Sequence, residues 1–157
     1  MTGTPNDIPG VVAPPPLVFL AALAAGFLLE WAWPTSFDAH ISGLRGAGFV
    51  LRALGASLIA AGIWAFRRAG TDFHPYRPAT RLITDGVFRY SRNPLYVSLT
   101  LIYLGLAFLH GGLWPLAALV PALAVFRYGV VAREEAYLER KFGDAYRSYK
   151  NRVRRWL

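Results

Sequence analysis

Four apolar stretches constrain this chain more than any other feature. They run from Leu17 to Trp33, from about Gly46 to Phe66, from about Leu95 to Leu109 and from about Leu113 to Val131. A bilayer core about 30 Å thick needs roughly 20 helical residues, with about 17 as the lower bound. The first, second and fourth stretches meet that length. The third reaches it only by starting inside the preceding loop or by tilting. Lipid offers no partner for open backbone N–H and C=O groups, so a spanning segment must be a helix or part of a closed barrel. These stretches lack the alternation of barrel strands. Helices are therefore expected at about 17–33, 46–66, 94–109 and 113–131. Composition agrees. The chain is 55% hydrophobic and 17% charged, against roughly 25% charged in soluble proteins. The expected fold is an all-α, multi-pass membrane bundle with an amphipathic C-terminal tail.

The net charge of +8 is unevenly placed. Arg67, Arg68, Arg77, Arg81, Arg89 and Arg92 fall between the second and third stretches. Arg133, Arg140, Lys141, Arg147, Lys150, Arg152, Arg154 and Arg155 follow the fourth. The opposite connections carry only Arg45 and nothing basic in His110-Gly111-Gly112. Basic residues favour the cytoplasmic side, which puts both termini, the 67–93 loop and the 132–157 tail in the cytoplasm. An even number of crossings is consistent with that. The bacterial cytoplasmic membrane is the expected location. Trp31, Trp33 and Trp114 fall near outer ends, as an aromatic belt would. Because topology accounts for the charge asymmetry, nucleic-acid binding is set aside. Oligomeric state is not readable from these residues.

Residues 1–16 are polar and proline-rich and read as a disordered or extended lead; no basic n-region precedes the first apolar stretch, so no cleaved signal peptide is expected. The remainder, 17–157, reads as one domain. The tail from Ala132 reads as a helix leaving the membrane, with Gly143 a plausible break and Asp144 a cap for a second piece. There Tyr146, Tyr149, Val153 and Trp156 recur at three- and four-residue intervals, the pattern of a helix lying at the interface.

Chemistry concentrates at two places. The 67–93 loop is far longer than the usual connection of about 4–6 residues. It ends in Arg92-Asn93-Pro94-Leu95-Tyr96, where Pro94 suits a first helical turn and Asn93 suits a cap. Tyr96, one turn in, should face the interior. Glu134 and Glu135 adjoin each other at the exit of the fourth stretch. They either balance nearby arginines or accept hydrogen bonds from ligand hydroxyls, as acidic residues do with ribose elsewhere. Glu30 lies near a membrane end and is expected to reach the interface. The chain has no cysteine, and its three histidines lack a paired helical spacing, so no metal site is expected. Phosphate-loop, dinucleotide and serine-elbow motifs are absent.

Taken in order, Arg77-Pro78, Leu82-Ile83-Thr84-Asp85-Gly86-Val87-Phe88-Arg89-Tyr90-Ser91-Arg92-Asn93-Pro94-Leu95-Tyr96 and Tyr103-Leu104-Gly105 lead into Arg133-Glu134-Glu135-Ala136-Tyr137-Leu138 and Phe142-Gly143-Asp144-Ala145-Tyr146-Arg147-Ser148-Tyr149. This series resembles the membrane methyltransferase superfamily of isoprenylcysteine carboxyl methyltransferases and phospholipid N-methyltransferases. The resemblance covers about Gly70 to the C-terminus. It implies S-adenosylmethionine as methyl donor, S-adenosylhomocysteine as product and a helical, non-Rossmann cofactor site. It implies Arg92, Asn93, Tyr96, Glu134 and Glu135 as cofactor-binding residues. The isoprenylcysteine branch usually carries histidine where this chain has Asn93, and the phospholipid branch carries asparagine. The glycine pair of the phospholipid branch is represented at most by Gly70. His74 and Arg89 are the candidate catalytic residues, His74 as a base for an acceptor that must lose a proton. The expected acceptor is a membrane lipid or a small apolar molecule bearing an amine, thiol or carboxylate. Carboxyl methylation of a prenylated cysteine is the enzymatic alternative. A non-catalytic protein docking on anionic lipid or a partner is the other.

Overall fold

The computed structural model describes residues 8–35, 42–71 and 78–157. Its elements are α1 (Pro15–Ala32), α2 (Ser42–Ala69), a 3-10 turn (Gly86–Arg89), α3 (Pro94–His110), α4 (Leu113–Phe126), a π segment (Arg127–Val131) and α5 (Ala132–Arg152). No strand occurs among the described residues. Helices α1, α2 and the one beginning at Leu113 are long and apolar enough to cross a membrane, and α3 is apolar but shorter. The chain is an integral membrane helical bundle. Leu20, Leu28, Phe49, Leu54, Trp64 and Val120 all stay exposed on its outside, where only lipid would welcome them. Trp31 and Trp33 are exposed at the end of α1, as belt residues would be. The run of charges from Arg133 onward ends the apolar part of the last crossing near Val131.

The 28 residues of α2 make it about 42 Å long. It therefore extends past the apolar stretch at both ends, to Ser42 and to Ala69 beyond Arg67 and Arg68. Helices pair as α2 with α3 and α1 with α4. The α2–α3 contact is set by glycines one heptad apart. A Cβ on Gly48 would come 2.9 Å from the Gly105 carbonyl oxygen, and one on Gly55 2.8 Å from that of Ser98. Small residues let backbones approach where lipid gives no hydrophobic drive to association. The α3–α4 connection is tight, with Gly111 left-handed at φ 79°. The two helices also meet through side chains. The Tyr103 hydroxyl donates to the Pro115 carbonyl at 2.7 Å, and the rings of Tyr96 and Phe126 lie 4.6 Å apart.

Four expectations change. The described part of the lead is attached to the bundle: Val12 N–H donates to the Gly129 carbonyl at 3.2 Å, and Val11 is buried with the core of Phe19, Tyr103 and Phe126. Glu30 does not reach out to the interface. It is buried, and accepts the Trp114 N–H at 3.2 Å and the Thr35 N–H and hydroxyl. It thereby caps the start of α4, whose first N–H groups have no helical partner. Asn93 does not cap α3 with its side chain. The Tyr146–Tyr149 stripe does not lie on a lipid surface: both rings are buried within the protein. Gly143 does break α5, at φ 51° and ψ −124°. Asp144 is exposed and pairs with Arg147 at 3.2 Å.

Candidate functional site

A cavity of about 150 Å³ opens where the end of the loop, the start of α3 and α5 converge. Its polar wall holds Arg92, Asn93, Tyr96, Glu134, Glu135 and Tyr146. Its apolar wall holds Pro9, Phe66, Leu82, Ile83, Leu95 and Leu138. The five residues expected to bind cofactor are thus brought together, although up to 43 positions separate them in sequence.

Local structure explains how. A small core of Ala65, Ile83 and Phe88 pins the loop to the end of α2, with the rings of Phe66 and Phe88 at 5.5 Å. The Tyr149 hydroxyl donates to the Phe88 carbonyl at 2.8 Å. The Tyr137 hydroxyl accepts the Ala79 N–H at 3.0 Å. These contacts bind the loop to α5. The π segment adds one residue to the ladder. That rotates everything after it by about 100° relative to an uninterrupted α-helix, and sets which face of α5 turns to the cavity. It also carries Gly129, whose carbonyl seats the lead beside Pro9.

The two adjacent acids have different surroundings. Glu135 is buried between two guanidinium groups. Arg155 binds it through both oxygens, Nε to Oε1 at 3.0 Å and Nη2 to Oε2 at 2.7 Å. Arg92 Nη1 lies 3.1 Å from Oε1, within ion-pair range but off the hydrogen-bond angle. Arg92 Nε and Nη1 are buried without a hydrogen-bond partner among the described residues, on a side chain only 9% exposed. Among the described residues no guanidinium pairs with Glu134. Its Oε1 accepts the Tyr96 hydroxyl at 2.6 Å. Burial pushes the Glu134 carboxyl up to about 7; the Tyr96 hydrogen bond opposes this, and the negative charge of Glu135 adds to it. Burial likewise lifts the Tyr146 phenol to about 12.

The tail closes over this wall. Arg92 N–H donates to the Arg154 carbonyl at 3.0 Å. The Asn93 amide donates to the Arg155 carbonyl at 3.0 Å, and the Ser91 hydroxyl to the same oxygen at 3.4 Å. This is where the Asn93 side chain goes instead of capping α3. Arg89, expected as a catalytic residue, is exposed and is not among the residues that line this cavity, because Phe88 takes the buried side of the 3-10 turn. His74 lies outside the described residues. Tyr146 and Arg81 also line the cavity, Arg155 meets it through Glu135, and sequence alone did not single out any of the three for it. Tyr146 stood in a recognisable stripe. Arg155 lies beyond the helix end, with nothing in its spacing to mark a return to Glu135.

A family model described as phospholipid methyltransferase matches residues 44–145. That range takes in α2, the loop, the Arg92–Tyr96 segment and both acids, and stops before Tyr146. An uncharacterized protein of Haemophilus influenzae is 44% identical over 63 residues, covering 40% of this chain and all of that protein. A protein-S-isoprenylcysteine O-methyltransferase of Schizosaccharomyces pombe is 35% identical over 74 residues, 46% of this chain and 30% of the relative. The chain therefore spans under a third of that enzyme's length. No solved structure matches.

Proposed function

Because the chain belongs to the phospholipid methyltransferase family of membrane methyltransferases, we propose that it moves a methyl group from S-adenosylmethionine to a lipid-like or small apolar acceptor. The observation that carries this is the buried, incompletely bonded guanidinium of Arg92 at the polar wall of the cavity. A buried charged donor without full pairing is costly. The carboxylate of an amino-acid moiety would satisfy Nε and Nη1 with charge-assisted hydrogen bonds. The residues present fit such a donor. Asn93 and Tyr96 would hold the same end as Arg92. Glu134 and Glu135 would meet its ribose hydroxyls or its positive charge.

When bound, the donor supplies an electrophilic methyl group on a sulfonium centre. The protein would orient the acceptor for in-line displacement and exclude water, which together can provide most of the acceleration. The apolar wall of Phe66, Leu82, Ile83 and Leu95 would take the apolar part of the acceptor, entering from the bilayer. Basic residues near the cavity favour a cytoplasmic orientation for this end, which would give the donor access from the cytosol.

Binding of S-adenosylmethionine and S-adenosylhomocysteine to detergent-purified protein tests the proposal. Saturable binding that is lost in a still-folded Glu134→Ala/Glu135→Ala variant is the expected outcome. No binding by folded wild type, repeated in lipid nanodiscs, would leave a non-catalytic docking protein as the better account.

A further inference from the structure

Arg52 stands inside an apolar stretch of α2. It lies six positions past Gly46, about 9 Å along the helix. An ionisable side chain at such a depth is costly and marks a functional place by default. The cavity does not use it. Arg52 packs against Gly105 near the end of α3, whereas the cavity opens beside Phe66, 14 positions further along α2.

The side chain is built into the seam between the two helices. A Cβ on Gly105 would come 2.7 Å from Arg52 Cγ, so a larger residue there would crowd the stem. The guanidinium ends over the ring of Phe49, 5.4 Å from its centroid. Phe49 is itself 59% exposed on the outside of the bundle, so the cation rests on a surface that faces lipid. Helical side chains lean toward the helix N-terminus. That lean carries the charge toward Ser42 and out of the apolar stretch, as a snorkelling arginine does. Arg45 follows on the same face. It precedes Arg52 by seven positions, nearly two turns and about 10 Å, and is exposed. Phe49 falls between the two.

We propose that Arg45, Phe49 and Arg52 form a site for the phosphate of an anionic phospholipid in the leaflet opposite the cavity. Two guanidinium groups suit a phosphodiester, since each can offer it paired N–H donors. The Phe49 face holds Arg52 in place by cation–π attraction and gives the lipid's acyl chain an apolar flank. The two like charges repel each other across the ring, and a phosphate between them relieves that repulsion. In a zwitterionic lipid the headgroup's own cation offsets the phosphate, so such a lipid competes poorly. This site is independent of the methyl-transfer function and lies at the other end of the bundle. Among the described residues no carboxylate pairs with Arg45 or Arg52. Asp38 lies outside the described residues, and its variant enters the test.

Photolabelling of the whole chain in nanodiscs reads the site directly. The probe is phosphatidylglycerol with a diazirine at the top of one acyl chain, beside its phosphatidylcholine counterpart, with adducts mapped by mass spectrometry. Phosphatidylglycerol adducts should concentrate between Arg45 and Arg52 on α2 and at Leu109, which faces Gly48 from α3. Labelling there should fall on the order of fivefold for each arginine removed, in Arg52→Gln and in Arg45→Gln. Arg52→Lys should recover part of it. Arg67→Gln/Arg68→Gln, at the far end of α2, should leave it unchanged, as should Asp38→Asn. Arg45→Gln alters an exposed residue and carries the test if Arg52→Gln does not fold. Equal labelling by the two lipids, or labelling that persists in both folded arginine variants, overturns the proposal and leaves Arg52 reaching only water. A rise in Asp38→Asn also overturns it, because that acid and not a lipid would then hold the cations.

Discussion

Arg155 grips Glu135 through both carboxylate oxygens, at 3.0 and 2.7 Å, from 20 residues further along the chain. The pair ties the end of the tail to the first turn of α5 and shares Glu135 with Arg92. Arg155→Ala should release the Arg154 and Arg155 carbonyls from Arg92 and Asn93. Charge-assisted hydrogen bonds of this kind contribute about 1.5–3 kcal/mol. Faster hydrogen exchange across residues 153–157 and a lower melting temperature would show the loss. Arg155→Lys should recover only part of it, since an ammonium cannot reproduce the two-point geometry.

Glu134 gives a stability prediction with a definite sign. Its folded-state pKa lies above the ordinary carboxylate value, at about 7. The native state therefore binds the proton more tightly than the unfolded chain. The stability linked to this group is fully present below the ordinary pKa of about 4.5 and is lost as pH rises through about 7. Glu134→Gln should thus melt higher than wild type above neutrality, by an amount on the order of 1–3 kcal/mol. The difference should vanish in mildly acidic buffer. A variant that destabilises equally at both pH values would contradict the burial argument.

Glu30 should matter for stability and not for ligand binding. Glu30→Ala leaves the Trp114 N–H and the Thr35 groups without their acceptor. Unsatisfied buried donors cost about 1–3 kcal/mol each. Thermal melting should fall accordingly. S-adenosylhomocysteine affinity, measured well below the melting point, should stay within error, because Glu30 lies at the end of the bundle away from the cavity.

The α2–α3 glycines should differ in tolerance. At Gly55 an added methyl meets the Ser98 carbonyl oxygen at 2.8 Å and Ile102 Cγ1 at 2.7 Å. At Gly62 it meets only the Leu95 side chain, at 2.5 Å to Cδ2. A side chain can turn aside, whereas a backbone carbonyl moves only with its helix. Gly55→Ala should cost about 1–3 kcal/mol by overpacking, and Gly62→Ala less. Melting of the two variants side by side checks the order.

Much of the architecture was legible because lipid narrows the choices. Apolar length located all four membrane helices, and the glycine after His110 marked the turn. The helix ends were less legible. α2 runs on through Arg67 and Arg68 because helical hydrogen bonding does not stop where the apolar stretch does, and cations suit the last turn of a helix. The π segment had no sequence signature at all. The described part of the lead, expected to be loose, is held by a backbone hydrogen bond from Val12 to Gly129 and by the burial of Val11. The five residues expected to bind cofactor came from a resemblance and not from their spacing. Arg92 and Glu135 lie 43 positions apart, and no periodicity relates them.

The sequence by itself determined that this chain must live in a bilayer as helices, since only a helix satisfies the backbone across an apolar stretch of that length. It also determined where the charge would gather. Tertiary structure alone decided how the acids divide. Glu134 and Glu135 are chemically identical neighbours, yet successive residues on a helix point about 100° apart. Packing then placed two guanidinium groups beside one and a phenol beside the other.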